Sequence, residues 1–434
     1  MKKTEFHSER LRERYVRIDH PSGLPVYIFH KPLTTTYAIF STRYGSVDTK
    51  FRRAGELEWT EIPDGVAHYL EHKLFENPDG SDSFEKFSAF GADANAYTTC
   101  NRTSYLFSCT DRFEEALEEL LTFVSTPYFT KKSVKKERGI IAEEIRMYND
   151  NPWERCFQNL MEGLYETNPI RVNICGTEES IARITPEILN ECYQAFYQPS
   201  NMALIVCGQV SEEQVMAVVD RVLPKTVKQI PVERWETEES ASAYRPLVSA
   251  HMQASKPIFS IGIKDVHIPK DPRERLRRDA AQSVLEEILF SRSGSFYNEL
   301  FEEGLITPSY SYGYSIAEGF AFHAITGECD TPQVVEERLW EFLNRVKREG
   351  MDREDFERCR RALYADEIRN YDSTEDIATE LLTFVFDGVE LFEYPDVIAS
   401  LTFEELSPLL DEMLDRSAFC LSVVYPLEMN QEGE

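Results

Sequence analysis

The stretch His68-Tyr69-Leu70-Glu71-His72 puts two imidazoles and a carboxylate next to one another. It lies in a run from Asp64 to Glu76 that is read as a helix. On a helix His68 and His72 are i, i+4 neighbours on one face. Two imidazoles one turn apart can close on a single zinc ion. Glu71 points to nearly the same side, within reach of a water on that ion, and need not bind the metal itself. The order H-x-x-E-H inverts the commoner H-E-x-x-H. With eight histidines in the chain, a chance cluster on a solvated helix face is the competing reading. A third ligand at a sensible place decides between the two.

Residues 137–148 offer one. Apolar residues at 140, 141, 145 and 148 follow helical spacing. Glu137 and Glu144 are two turns apart and share a face. A carboxylate from this helix would complete a two-histidine, one-glutamate site with its fourth position open. Taken alone, the pattern is better explained by an acidic surface helix, which this sequence has in quantity.

Together, the two segments resemble the pitrilysin/insulinase superfamily of zinc peptidases, which includes the mitochondrial processing peptidase. The resemblance spans most of the chain and is nearest to the bacterial processing-protease-like group. Members carry H-x-x-E-H and, downstream, a Glu ligand in a segment opening on Glu-Arg. Here Glu137-Arg138 matches the opening pair and Glu144 the ligand, with Glu143 the nearest competitor. The resemblance implies Zn2+ held by His68, His72 and Glu144, and Glu71 as the catalytic general base. Glu137 is then a further site carboxylate that orients a histidine or the substrate side. Gly91 to Thr99 resembles the family's strand segment with its Asn-Ala core. That strand would be a sheet edge beside the metal, where a peptide adds as an extra strand. Asn95 and Ala96 would touch this substrate. From the residues alone, Asn95 reads equally as a turn or bulge.

The implied fold is α+β, with two tandem, similar half-domains that form half of a clamshell. Each is an antiparallel sheet packed with helices. Residues 1–223 would be the zinc-binding catalytic domain. Residues 224–246, charged and rich in Ser and Pro, would be a linker, and 247–434 a non-catalytic domain of similar fold. The H-x-x-E-H pattern occurs only once, so only the first half can be catalytic.

The second half departs from the family. Where members supply an Arg and a Tyr to grip the substrate, this chain has Phe301 and Thr307. Tyr310, Tyr312 and Tyr314 follow closely; they substitute in part or simply stud a strand face. The departure implies a heterodimer with a related subunit that supplies Arg and Tyr, with a homodimer as the other possibility. Two rival functions stand beside a peptidase: a catalytically silent peptide-binding or structural subunit, and a protein that stores or senses zinc.

At 434 residues the chain is too long for one ordinary core. A formal charge of −29 repels nucleic acid. Nine scattered cysteines without a C-x-x-C suggest reduced thiols and a cytoplasmic home. The first residues lack the apolar run of a signal peptide, and no stretch approaches the length of a membrane span. Along the chain, 36–44 and 201–210 read as strands, 47–63 as a polar loop, and Asp64 as the N-cap of the histidine helix. In the second half, 258–263 and 418–424 read as strands, the latter echoing 202–207.

Overall fold

The computed structural model describes residues 1–427. They form two units, each a sheet packed with helices, so the protein is α+β as expected. The first unit comprises Met1–Ile145, Asn173–Trp235 and Ile368–Phe392. The second comprises Arg146–Val172, Glu236–Glu367 and the chain from Glu393. One crossing, between Trp235 and Glu236, falls inside the expected 224–246 linker. The packing units also exchange segments. The helix Pro152–Leu164 belongs to the second unit and the helix Thr374–Asp387 to the first.

The first sheet runs in the order Lys2–Ser8, Glu13–Asp19, Pro25–His30, Met202–Gly208, Thr36–Thr42, Thr103–Cys109, Asp93–Thr98. Thr36–Thr42 and Met202–Gly208 are buried at every residue. Helices cover both faces of the sheet, so these strands read as near-continuous apolar runs. On one face Tyr37, Ile39 and Ile205 pack with Ile377, Leu381 and Leu382 of the helix Thr374–Asp387. On the other, Tyr105 meets Phe75 and Phe123 at ring-centroid distances of 6.0 and 5.7 Å. Phe75 directly follows the histidine helix, so this aromatic contact seats the helix on the sheet.

The second sheet runs Leu247–Met252, Phe419–Pro426, Ile258–Lys264, Phe320–Glu328, Ser311–Ala317. Its five strands repeat the last five of the first sheet: one parallel pair, then three antiparallel pairings. In this pattern Phe419–Pro426 occupies the place of Met202–Gly208, the echo noted in the sequence. Each sheet is therefore antiparallel except at one pair.

Two stretches read as loops carry strands. Lys50–Arg53 pairs with Thr60–Glu61 and with Val232–Arg234 in a small three-stranded sheet. Its cross-strand partners are ion pairs, Arg52 with Glu233 and Lys50 with Glu61, both at 2.6 Å. Trp59 packs edge-on against Trp235 at 5.0 Å. These strands are short and charged, so they leave no apolar alternation to detect. No helix among the described residues is long and apolar enough to cross a membrane.

Candidate metal centre

The histidine helix spans Val66–Leu74. Asp64 is not its N-cap. Gly65 holds that position at φ +89°, with no side-chain cap. The Asp64 carbonyl instead accepts a hydrogen bond from Ser180 Oγ at 2.9 Å. The loop 173–180 lies so close to this helix start that a Cβ on Gly65 would sit 2.5 Å from the Cys175 carbonyl oxygen. A Cβ on Gly176 would sit 2.6 Å from Asp64 O. Only glycines allow this approach, and both lie at positive φ, where glycine is unstrained.

His68 and His72 stack edge-on, with ring centroids 4.6 Å apart, as i, i+4 spacing requires. The second helix, Lys131–Asp150, brings Glu144 between them. Glu144 Oε1 lies 3.5 Å from His68 Nε2 and Oε2 lies 3.4 Å from His72 Nε2. One donor atom from each of the three residues lies within 4.8 Å of the others, a separation that one metal ion can bridge. Glu143 is exposed on the same helix and is not part of this group.

Glu137, two helical turns before Glu144, meets the opposite side of the His72 ring, with Oε1 3.1 Å from Nδ1. With Nδ1–H donating to Glu137, the ring turns Nε2 towards Glu144, to which it donates here and beside which it would ligate a metal once that proton is lost. Lys73, fully buried, lies 4.0 Å from Glu137 and also pairs with Glu76. Burial opposes a charged His72, but the Glu137 and Glu144 carboxylates outweigh it and lift its pKa to about 9. Hydrogen bonds with His68 and then His72 hold Glu144 well below the ordinary carboxylate range. Burial pushes Glu137 up, yet contact with His72 and the nearby Lys73 brings it below its usual value. The pocket thus presents anionic oxygens and two imidazole nitrogens to one point. That donor set fits a divalent zinc ion.

Glu71 sits on the histidine helix and accepts a hydrogen bond from Thr98 Oγ1 at 2.6 Å. Thr98 ends the strand Asp93–Thr98, the outermost of its sheet and, among the described residues, paired only with Thr103–Cys109. Asn95 and Ala96 lie on this edge strand, Asn95 exposed and Ala96 half-buried. The Ala96 N–H donates to Asn95 Oδ1 at 2.9 Å, so the strand caps part of its own edge. Thr98 escaped the sequence reading. It lies outside the metal motif, and nothing in its local spacing signals a role.

In the second unit, Phe301 is 45% exposed and stacks on Tyr297. Thr307 Oγ1 bonds Ser309 Oγ at 2.6 Å. The nearby tyrosines pack within the second unit. Tyr312 donates to Glu287 and Tyr314 to Asp265, each at 2.6 Å, and Tyr310 is buried. A second acid–imidazole group, Asp265, His267 and Glu412, already holds a cation. The Arg278 guanidinium bridges its two carboxylates.

Two family profiles match the chain: Insulinase (Peptidase family M16) at residues 53–178 and Peptidase M16 inactive domain at 183–363. The chain is 37% identical over 417 residues to a Bacillus subtilis (strain 168) protein named uncharacterized zinc protease YmfH. That match covers 95% of this chain and 97% of the relative. The chain belongs to the M16 peptidase family. An M16-like peptidase from Alicyclobacillus acidocaldarius shares its structure with a TM-score of 0.90 and 33% identity, over 95% of this chain and 98% of that one. The periplasmic protease PqqL of Escherichia coli shares the fold at a TM-score of 0.74 and 17% identity. The match covers 98% of this chain but 48% of PqqL. Within the M16 frame, the insulinase profile covers both metal-group helices and the edge strand, and the inactive-domain profile covers most of the second unit.

Proposed function

We propose that this M16 peptidase is a zinc metalloendopeptidase that hydrolyses short or unfolded peptides, with Glu71 as general base. The observation that carries the reading is the meeting of His68, His72 and Glu144 beside Glu71 and an open sheet edge. Zinc in such a site supplies a Lewis acid for the scissile carbonyl and brings a water towards neutral pKa. His68 and His72 would hold it through Nε2, and Glu144 through a carboxylate oxygen. Glu137 fixes the His72 ring through Nδ1.

Glu71 takes the proton of the attacking water and returns it to the leaving amine. The Thr98 hydroxyl holds one Glu71 oxygen and leaves the other for that proton. The peptide lies along Asp93–Thr98 as an added strand, bound through its backbone with little demand on side chains. Asn95 then releases the Ala96 N–H to the peptide and turns its own amide to it.

The positions that would supply Arg and Tyr are filled by Phe301 and Thr307, and the neighbouring tyrosines are engaged inside the second unit. We infer that a related subunit completes the site, as a heterodimer or, failing that, a homodimer. PqqL, a chain about twice the length of its match here, is consistent with pairing two such halves. Nine thiols without a disulfide among the described residues suit a cytoplasmic setting.

The test is zinc content together with cleavage of a quenched peptide, with and without the candidate partner. Glu71→Gln keeps zinc and abolishes cleavage. A wild-type chain that binds zinc but cleaves nothing in any pairing would instead mark a silent peptide-binding subunit.

A further inference from the structure

The edge of the first sheet farthest from the metal group carries a cleft of another character. Its volume is about 530 Å³, and it lies over the ends of Lys2–Ser8, Glu13–Asp19 and Pro25–His30. These are the first three strands in the sheet order, and Asp93–Thr98, beside the metal group, is the last. Glu13–Asp19 lies five strand steps from Asp93–Thr98. At about 4.8 Å a step, that is about 24 Å. The cleft is a place apart from the metal centre.

Five basic side chains line it: His7, Arg12, Arg14, His30 and Lys31. Strand register puts three of them in one row. His7 pairs with Arg14, and the register that sets Tyr15 opposite Phe29 sets Arg14 opposite His30. The His30 ring is anchored by its Nδ1–H, which donates to the Val210 carbonyl at 3.4 Å. The one acidic lining residue, Glu13, pairs with Lys31 at 2.5 Å. Glu5, whose charge Arg14 feels, is already bonded to Lys3 at 3.0 Å. Arg12 and Arg14 form no ion pair among the described residues. A chain of net charge −29 thus keeps two uncompensated guanidiniums in one cleft. The backbone of Arg12 is a second, independent sign. It is left-handed at φ +58°, one of two residues other than glycine at positive φ among those described. Glycine would turn this hairpin without strain, so a long cationic side chain is kept here against the backbone's preference.

We propose that this cleft binds a phosphoryl group, free or carried on a small organic molecule. Arg12 and Arg14 hold its oxygens through their forked N–H groups, and His7 and Lys31 add further donors. Planar guanidinium forks match phosphoryl oxygens two at a time, and a dianion answers two such charges better than one carboxylate does. The volume leaves room for an organic body beside the anion. The site does not depend on the zinc reading above.

Calorimetric titration of the full chain with inorganic phosphate, phenyl phosphate and benzoate tests the proposal. The expected result is one phosphate site per chain, weakened by added salt. Tighter binding of phenyl phosphate assigns an organic phosphate and equal binding assigns the free ion; either supports the site. In Arg12→Gly and in Arg14→Gln the affinity falls about tenfold or more. Glycine suits the left-handed backbone, so Arg12→Gly keeps the fold, which circular dichroism checks. Zinc content is the same in all three proteins, as a site away from the metal centre requires. Failure of wild type to bind either phosphate, equal affinity in wild type and both variants, or benzoate bound as tightly as phenyl phosphate would overturn the proposal.

Discussion

Thr98→Val removes one hydroxyl and keeps the side chain's volume and branching. That hydroxyl lies 2.6 Å from Glu71 Oε2. A hydrogen bond to a charged group contributes about 1.5–3 kcal/mol, which in a rate corresponds to about ten- to a hundredfold. Thr98 orients Glu71 without itself touching the reacting atoms, so the expected fall in kcat is about tenfold, the low end of that range. KM changes little, because Thr98 is required to orient Glu71 and not to hold the peptide. Zinc content stays at the wild-type level, since Thr98 touches none of the three metal donors. Thr98→Ser restores most of the rate. The assay is steady-state cleavage of a quenched peptide with metal analysis on the same preparations. Wild-type kcat in Thr98→Val, or a rate loss that tracks lost zinc, would refute the reasoning.

Glu137→Ala removes the acceptor that orients His72, and metal affinity should weaken by about 10–100-fold in a chelator competition; unchanged affinity would show that the 3.1 Å contact is incidental. Glu380 gives a pH prediction away from the site. Burial, helped by the charge of Asp376 and opposed by the Asn370 amide, pushes its carboxyl up to about 7 from the ordinary 4.5. The folded state then binds more protons than the unfolded state between those values, so stability falls as pH rises through that window. Glu380→Gln should thus be about 1–3 kcal/mol more stable than wild type at pH 8 and nearly equal at pH 4.5. Parallel Tm–pH curves for the two proteins would contradict this.

Sequence pattern reached the metal group because its grammar is local. The i, i+4 histidines and the two-turn spacing of Glu137 and Glu144 each fix a helix face. The tertiary meeting of the two helices came only from the family resemblance, since no local rule pairs residue 72 with residue 144. Thr98 was out of reach for the same reason, because it is joined to Glu71 through sheet packing. Asp64 misled as a cap because its chemistry suits one, while the neighbouring loop claims its carbonyl and forces Gly65 into the left-handed region. The exchange of Pro152–Leu164 and Thr374–Asp387 between units left no mark either. Both segments read as ordinary amphipathic helices, and a helix does not record which sheet it covers.

The central claim is that Glu144, and not its neighbour Glu143, joins His68 and His72 on a metal. Zinc per chain after exhaustive dialysis tests this directly in wild type, Glu143→Gln and Glu144→Gln. The account predicts equimolar zinc in the first two and its loss in Glu144→Gln, with the fold retained by circular dichroism. Full zinc in Glu144→Gln, or its loss in Glu143→Gln alone, would contradict it.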